Sequence, residues 1–302
     1  MRVELDKVLK RESGLMVDDA NFSYDSSTDE LNTGDAHMIG QKTLMRLSVL
    51  ESILSNVTYD NDIQRNTLNL SRKLFKQIQS DINYMYPHNT YEEENAHVVM
   101  QLIKRTNEDL SNFIDFFTQK HELEVKVDIV NILTNQFKEM NDDIDYAYPN
   151  NNYEDDNAHV VLQGLLGKSS SLFDLLNEMT PKSEDEKEFK QIYLEKMSGL
   201  IELLNNGYNS SGYYKENGHE IFSELIEGLK VEIKDLREIE LKEDIEHIPY
   251  VSNKIKIETE EEKNNVKKEI IKTHENTSQN DLEEEIPRVR NEEVKSKIKG
   301  ML

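Results

Sequence analysis

The chain contains 302 residues, of which 36% are hydrophobic and 32% charged, and its formal net charge is −24 at pH 7. It has no Cys, which excludes disulfide bonds, thiolate nucleophiles and thiolate metal sites. No stretch approaches the roughly 20 apolar residues of a membrane span, and the first residues lack the apolar segment of a secretory signal. We therefore expect a cytoplasmic protein or a component of an intracellular or virion assembly.

The negative charge is concentrated before residue 251. Residues 251–302 contain 11 Lys or Arg and 12 Asp or Glu, so the rest of the chain carries almost the whole excess. A surface of this sign repels nucleic-acid phosphates and anionic membranes, and it attracts basic protein surfaces. We therefore expect protein partners with a basic surface and no direct binding to nucleic acid or membrane, while homo-oligomerisation stays open.

Apolar residues recur every three or four positions over most of the chain, as one buried helix face requires. After an N-terminal lead segment, residues 1–34, this spacing predicts seven long helices before residue 250. They span 36–57, 61–86, 95–119, 122–147, 157–178, 183–206 and 217–246. Residues 251–302 are rich in charged side chains and poor in apolar ones, which predicts a largely disordered tail.

Four histidines recur at nearly constant spacing, which indicates an internal repeat. His37, His97, His159 and His219 are 60, 62 and 60 residues apart. Asp or Asn stands two residues before each of them, where it would accept hydrogen bonds from the free amides of a helix's first turn. We therefore predict helix N-caps at Asp35, Asn95, Asn157 and Asn217.

Tyrosines precede these histidines at fixed distances. Tyr86, Tyr148 and Tyr208 lie eleven residues before a repeated His, and Tyr91, Tyr153 and Tyr213 lie six residues before one. Two interpretations stay open: the rings pack as joints between consecutive repeats, or they form a row on one edge that binds a partner. In both, the repeated Tyr, His, Asn and Asp residues are interface candidates.

These features predict an all-α fold of tandem antiparallel helical hairpins. About three and a half repeats of 60–62 residues fill a domain from residue 35 to residue 250. Short connections favour antiparallel neighbouring helices. The pattern does not distinguish an open solenoid from a bundle curled on itself.

No catalytic or metal-binding motif accompanies the repeats. The chain contains no GxSxG, Walker, GxGxxG or HExxH sequence. No second His lies one helical turn from a repeated His, where a zinc site usually places it. We predict no catalytic residue, no cofactor and no metal site.

A short amphipathic pattern occurs at 291–302. Val294, Ile298 and Leu302 are spaced one helical turn apart among charged residues. This spacing predicts a short helix that orders when it docks on a partner.

The sequence as a whole favours a non-enzymatic protein-binding scaffold or assembly factor whose acidic body engages protein partners. Its frequent Asn, Lys, Ile and Tyr suit an AT-rich genome, such as that of a phage or plasmid. Two alternatives stay open. One is a metal-binding helical bundle that uses the repeated His and the acidic loops, and the other is an acidic mimic of nucleic acid that inhibits a DNA-binding protein.

Overall fold

The structure is a computed structural model, and it describes residues 1–25, 30–87, 91–118, 123–148, 155–209, 212–213 and 215–247. Within these ranges the chain forms eight helices. They are α1 (Leu5–Ser23), α2 (Thr33–Ser55), α3 (Asp62–Asn83), α4 (Glu93–Thr118), α5 (Ile129–Ala147), α6 (Asp155–Asn177), α7 (Glu184–Asn205) and α8 (Lys215–His247). This helical bundle confirms the predicted all-α fold class.

Short strands connect the helices. They are β1 (Arg2–Glu4), β2 (Tyr24–Asp25), β3 (Glu30–Leu31), β4 (Val57–Thr58), β5 (Glu124–Val127), β6 (Met179–Thr180), β7 (Tyr208–Asn209) and β8 (Gly212–Tyr213). Four of them form one antiparallel sheet in the order β4-β5-β1-β6. Each strand of this sheet directly precedes a helical hairpin, so the sheet gathers one end of all four hairpins.

The second half of the described chain repeats the first. Helices α2 and α6, helices α3 and α7, and strands β4 and β6 have equal lengths and start 122 residues apart, as in 155 − 33 = 122. The same offset relates His37 to His159 and His97 to His219. The larger repeating unit of the structure is therefore a pair of hairpins.

Each half folds into a closed ring of four helices. In the first half, α1 contacts α2 and α4, while α3 contacts the same two helices from the other side. Helices α5 to α8 make the equivalent contacts in the second half. The two rings meet chiefly where α2 packs on α6. The molecule is therefore a closed double bundle instead of an open solenoid.

Strands β1 and β5 pair across the junction of the two halves with nearly two-fold symmetry. The Leu5 amide donates to the Leu123 carbonyl at 3.1 Å, and the Val127 amide donates to the Met1 carbonyl at 2.7 Å. The 122-residue offset converts one of these hydrogen bonds into the other. The sheet thus joins the two halves at the end of the bundle where their first strands begin.

Glycines allow the close approach of α2 and α6. A Cβ atom at Gly164 would lie 1.7 Å from Sδ of Met45, and one at Gly167 would lie 3.3 Å from the carbonyl oxygen of Lys42. Larger residues at these positions would force the two helices apart. The main junction between the halves therefore depends on the small residues of α6.

A buried polar cluster lies at the same junction, among α1, α2 and α6. Glu12 is fully buried and accepts hydrogen bonds from Arg46 Nη1 at 3.0 Å and from Ser171 Oγ at 2.6 Å. Asp174 is also buried, and its Oδ2 lies 3.0 Å from Nε of Arg11. Burial, together with the neighbouring Glu12 carboxylate, raises the pKa of Asp174 from 3.8 to about 7, against the opposing effect of the two Arg side chains.

The equivalent position in the second half carries a different ion cluster. Lys168, which corresponds to Arg46, lies 2.8 Å from Asp143 Oδ2 and 3.3 Å from Glu139 Oε2. Burial raises the pKa of the Asp143 carboxyl, although the Lys168 ammonium opposes the change. Both clusters contain a buried cation, Arg46 in the first and Lys168 in the second, but only the first combines it with the two buried carboxyl groups of Glu12 and Asp174.

The prediction of seven helices was incomplete, because the segment 1–34 is not a mere lead. It contains β1, α1 and the start of α2, and it buries Val8, Leu9 and Met16 in the core. Helix α1 also buries the polar side chains of Glu12 and Ser13. These polar residues interrupt the apolar pattern by which a buried helix face is recognised in a sequence.

The predicted helix 122–147 was wrong at its start. Residues 124–127 form β5, in which Val125 and Val127 are buried and Lys126 is exposed. Helix α5 begins only after Asp128, whose side chain caps it by accepting a hydrogen bond from the Asn131 amide. The alternation of apolar and charged residues in this segment is the period of a strand, and it was the available signal.

Replacing Asp174 by Asn should stabilise the protein at alkaline pH. A carboxyl group whose pKa is higher in the folded than in the unfolded state loses stabilisation as the pH rises from about 4 to about 7, because the folded state releases its proton later. Asn keeps the shape and does not ionise. We expect the free energy of unfolding at pH 8 to rise by roughly 1–3 kcal/mol, with little change at pH 4.5, as measured by urea unfolding.

Asp109→Asn is the matched control, because it makes the same change at an exposed carboxylate of α4. It should alter the free energy of unfolding by less than about 0.5 kcal/mol at both pH values, as substitutions on an exposed surface usually do. If the free energy of unfolding of Asp174→Asn falls between pH 4.5 and pH 8 as steeply as that of the unmodified protein, the raised pKa does not belong to this junction.

Candidate functional site

The repeated Tyr and His residues meet at helix ends, and we call these contacts the Tyr–His joints. In the first joint, the Tyr86 hydroxyl at the end of α3 lies 3.0 Å from Nδ1 of His37 and donates to the His37 carbonyl at 3.2 Å. Tyr91 packs on the same imidazole, with ring centroids 4.7 Å apart. This joint therefore ties α3 and the following loop to the start of α2.

Two further joints connect the first and last helices of each ring. Tyr24 packs edge-on against His97 at 4.8 Å between ring centroids, which joins the end of α1 to α4. The Tyr148 hydroxyl lies 3.3 Å from Nε2 of His219 and 3.2 Å from Oγ of Ser223, which joins the end of α5 to α8. All three described joints therefore hold neighbouring helices of a ring together.

The Asp and Asn residues that we predicted as N-caps lie three residues further into the helices than a cap does. Helices α2, α4, α6 and α8 start at Thr33, Glu93, Asp155 and Lys215, so Asp35, Asn95, Asn157 and Asn217 are the third residues of their helices. The N-cap of α2 is Asn32, whose side chain accepts a hydrogen bond from the Asp35 amide. The prediction was wrong because a polar side chain at the third helical position also serves a helix start, by reaching back toward the cap.

Asn95 and Asn217 make the same contact in the two halves. The Asn95 amide group donates to the Tyr84 carbonyl at 3.0 Å, and the Asn217 amide group donates to the Asn206 carbonyl at 2.8 Å. Both acceptors are the C-caps of the preceding helices. These side chains therefore close the hairpin turns by satisfying a carbonyl that the helix end leaves free.

The remaining candidates are only partly described. His159 is half-buried in the first turn of α6, near Asp35 of α2. The side chains of Asn157, Tyr208 and Tyr213 lie outside the described part of the structure, as do Tyr153 and the tail residues Val294, Ile298 and Leu302.

The electrostatics of the Tyr–His joints favour uncharged groups. Burial lowers the pKa of His37 and His159 below the ordinary 6.5, although Asp35 opposes the change at His159. Burial raises the pKa of Tyr86, and it raises the pKa of Tyr91 to about 12. Neutral imidazole and phenol groups exchange hydrogen bonds at pH 7 without carrying charge, which suits a structural contact.

No three His, Asp or Glu side chains gather as a metal site in the described ranges. The joints are separate from one another, and each pairs a histidine with a tyrosine instead of a second metal ligand. In the described joints these side chains form hydrogen bonds and pack ring against ring.

A second feature, missed in the sequence, lies on the outer surface between α7 and α8, and we call it the acidic seam. Six exposed carboxylates border it: Asp185, Glu188 and Glu195 on α7, and Glu224, Glu227 and Asp235 on α8. Four of them, Asp185, Glu188, Glu195 and Glu224, have no ion-pair partner among the described residues, whereas Glu227 pairs with Lys230 and Asp235 with Lys196. The acids are three and seven residues apart on α7, and three and eight residues apart on α8, which places those of each helix near one face.

The middle of the acidic seam is apolar and open. Ile192 and Val231 are 40% and 56% exposed. Gly199 and Gly228 have no atom within 4 Å of the place where a Cβ would lie. Lys196 bridges the two helices by its ion pairs with Glu232 and Asp235. Along each helix an exposed apolar residue lies between acids, Ile192 between Glu188 and Glu195, and Val231 between Glu227 and Asp235, and the glycines leave room for another chain to approach.

The first half differs from the second at the equivalent surface, although Leu70, the counterpart of Ile192, is equally exposed. Helices α3 and α4 pack along each other, whereas α7 and α8 touch at few places. The residues that correspond to the six acids, 122 positions earlier, are Ile63, Asn66, Lys73, Leu102, Arg105 and Phe113. None is acidic, and Leu102 and Phe113 are half-buried. The acidic seam is therefore a property of the second half alone.

The sequence did carry a signal for the acidic seam. In 183–206 and 217–246 the acidic residues recur at helical spacing on the face opposite the apolar stripe. The pattern alone does not separate a solvated helix face from a binding surface, since both are rich in acids. The open glycines and the loose packing of α7 on α8 appear only in three dimensions.

Comparison of the chain with protein-family models, with curated proteins and with solved structures finds no match. Among the described helices, none has the length and apolar character needed to cross a membrane. No relative indicates the function, and the geometry and charge of the molecule are the evidence for it.

Replacing Tyr86 by Phe should destabilise the protein more than the same change at Tyr148. Both rings are buried. The Tyr86 hydroxyl makes two hydrogen bonds to His37, which is half-buried. The Tyr148 hydroxyl contacts His219 and Ser223, which are exposed and can form hydrogen bonds with water when the hydroxyl is removed. We expect a loss of about 1–2 kcal/mol for Tyr86→Phe and less than about 1 kcal/mol for Tyr148→Phe, measured by urea unfolding at pH 7. Equal losses would show that burial of these joints does not set their strength.

Proposed function

We propose that this chain is a non-enzymatic protein-binding scaffold whose second half binds a basic partner along the acidic seam. The observation that carries the proposal is the seam itself: six exposed carboxylates around an open apolar centre, present in one half of a duplicated fold and absent from the other. A duplicated bundle needs no such acids for its stability, because the first half folds with apolar, basic and amide side chains at the same places.

The charges of the seam determine which sign of charge a partner must carry, but they contribute little to its affinity. A pair of unit charges about 4 Å apart gains only about 1 kcal/mol in water, and salt screens charges over about 8 Å at physiological ionic strength. Basic partners are attracted and oriented, while acidic ones are repelled. Affinity then has to come from apolar contact in the centre.

The apolar centre fits a helix with one apolar stripe. Ile192 and Val231 offer exposed side chains that a partner's apolar residues can cover, and each methylene buried is worth about 0.8 kcal/mol. Gly199 and Gly228 leave the partner space to approach the backbone. The partner class is therefore a basic amphipathic helix that lies along the seam.

The proposal also includes the class of the protein, a non-enzymatic scaffold, and its location. The non-enzymatic part is supported by the engagement of the repeated His residues in joints with Tyr, where they act as hydrogen-bonding and packing groups. We place the scaffold in the cytoplasm or in an intracellular or virion assembly. A phage or plasmid origin is supported by the residue usage alone.

A charge exchange between the two halves tests the proposal. Glu195→Lys combined with Glu227→Arg gives the seam the residues that the first half carries at the same places, Lys73 and Arg105. The probe is an 18-residue synthetic peptide of Lys and Leu in amphipathic helical order, and fluorescence anisotropy measures its Kd. We expect the double variant to bind the peptide at least about tenfold more weakly, a loss of about 1.4 kcal/mol or more.

The matched control changes the net charge equally at a different surface. Asp18→Lys combined with Glu108→Lys reverses two exposed acids of the first half. We expect its Kd to rise less than about threefold. Equal weakening by both pairs would mean that the peptide responds only to net charge, and the proposal of a specific seam would then be wrong.

A further inference from the structure

One segment of this chain has the chemistry of the partner that the acidic seam fits. From Arg288 to Lys299 there are five basic residues against two acidic ones, in a chain whose net charge is −24. Within this basic stretch and just beyond it, Val294, Ile298 and Leu302 recur at the spacing of one helix face. The segment 291–302 lies outside the described residues, and its sequence is that of a short basic amphipathic helix.

The charge and the apolar pattern of this segment complement the seam. Lys295, Lys297 and Lys299 flank the apolar positions, as the acids of α7 and α8 flank Ile192 and Val231. Three apolar side chains spaced by four span about 12 Å along a helix. The exposed centre of the seam is of comparable length, since it extends over two turns of α7 from Ile192 to Gly199.

The length of the connecting chain allows the contact. Between His247 at the end of α8 and Asn291 lie 43 residues (291 − 247 − 1 = 43). A linker of that many residues can extend over as much as about 140–155 Å. Helix α7, with 22 residues, is about 33 Å long. The segment can therefore reach any part of the seam of its own molecule.

Tethering also makes a weak contact effective. A flexible linker holds a tethered segment at an effective concentration on the order of 1 mM. A segment with a Kd of about 100 µM would then occupy the seam for about nine-tenths of the time. Short amphipathic helices reach such affinities with few apolar contacts.

We propose that residues 291–302 dock on the acidic seam of their own chain and compete there with external basic partners. This inference rests on the proposed function of the seam, to which it adds an autoinhibitory contact. A partner would bind only by displacing the segment, so its apparent Kd would equal the intrinsic Kd divided by the fraction of molecules in which the seam is free.

A single introduced thiol tests the contact in the full chain. The protein has no Cys, so Val231→Cys places one reactive group in the centre of the seam. We would measure its rate of reaction with N-ethylmaleimide, an uncharged reagent, in three backgrounds: the unmodified tail, Ile298→Asp and Ser296→Asp. Both tail changes add one negative charge, but only Ile298 belongs to the apolar stripe.

We expect Ile298→Asp to raise the labelling rate at least threefold, up to about tenfold if the undocked tenth of the molecules reacts alone. Ser296→Asp should raise it less than about twofold. A thiol at Leu70→Cys, the position of the first half that corresponds to Ile192, should react equally in all three backgrounds. Equal rates at Val231→Cys in all backgrounds would overturn the proposal.

Protein concentration separates docking within one chain from docking between two chains. Between about 1 and 100 µM, contact within a chain leaves the labelling rate unchanged, which supports the proposal. A rate that falls as the concentration rises would overturn it in favour of exchange between copies. No basic peptide is present in this assay. A negative result would therefore overturn the docking of the segment but would not affect the peptide-binding test of the Glu195→Lys and Glu227→Arg variant, and the proposed function would stand.

Discussion

The close packing of α2 on α6 is the constraint on which the rest of the structure depends. Gly164 and Gly167 leave room for the side chains of Lys42, Met45 and Arg46 of α2 against the backbone of α6, and every other helix is placed relative to this pair by the two rings. Strands β1 and β5 add a second joint of the same near two-fold symmetry at the end of the bundle. A molecule built in this way buries a common core between its halves and leaves the outer hairpins, α3–α4 and α7–α8, free to diverge.

The two halves diverge both at the junction and on the surface. At the junction, Arg46 balances buried carboxyl groups in the first half, while its counterpart Lys168 binds two acids of α5 in the second. On the surface, Lys73 and Arg105 correspond to Glu195 and Glu227. The junction remains closed in spite of its change, because each buried charge has an opposite charge beside it. On the surface, Glu227 pairs with Lys230 and Asp235 with Lys196, whereas no ion pair of Glu195 is seen among the described residues, and α7 and α8 pack more loosely than α3 and α4.

The sequence predicted the helices well where the core is made only of apolar residues. Each of the seven expected helices has a counterpart, because stripes such as those of α4 and α6 repeat at three and four positions over many turns. Helix α1 was not predicted from the sequence because it buries the polar residues Glu12 and Ser13. Their hydrogen-bond partners, Arg46, Ser171 and Asn107, come from other parts of the chain. The strands were not predicted because two to four residues carry little pattern, and because β1 pairs with β5 and β6 over more than a hundred positions.

The repeated Tyr and His residues were visible in the sequence, but their partners were not. Repetition marks positions that each copy of a hairpin needs for its own assembly, and the described joints are of this kind: Tyr24 with His97, Tyr86 with His37, and Tyr148 with His219. A binding surface follows the opposite rule in a duplicated fold. It is expected where the copies differ, since one copy already shows that the fold does not require the change. The acids between α7 and α8 meet this condition, and the repeated aromatic loops do not.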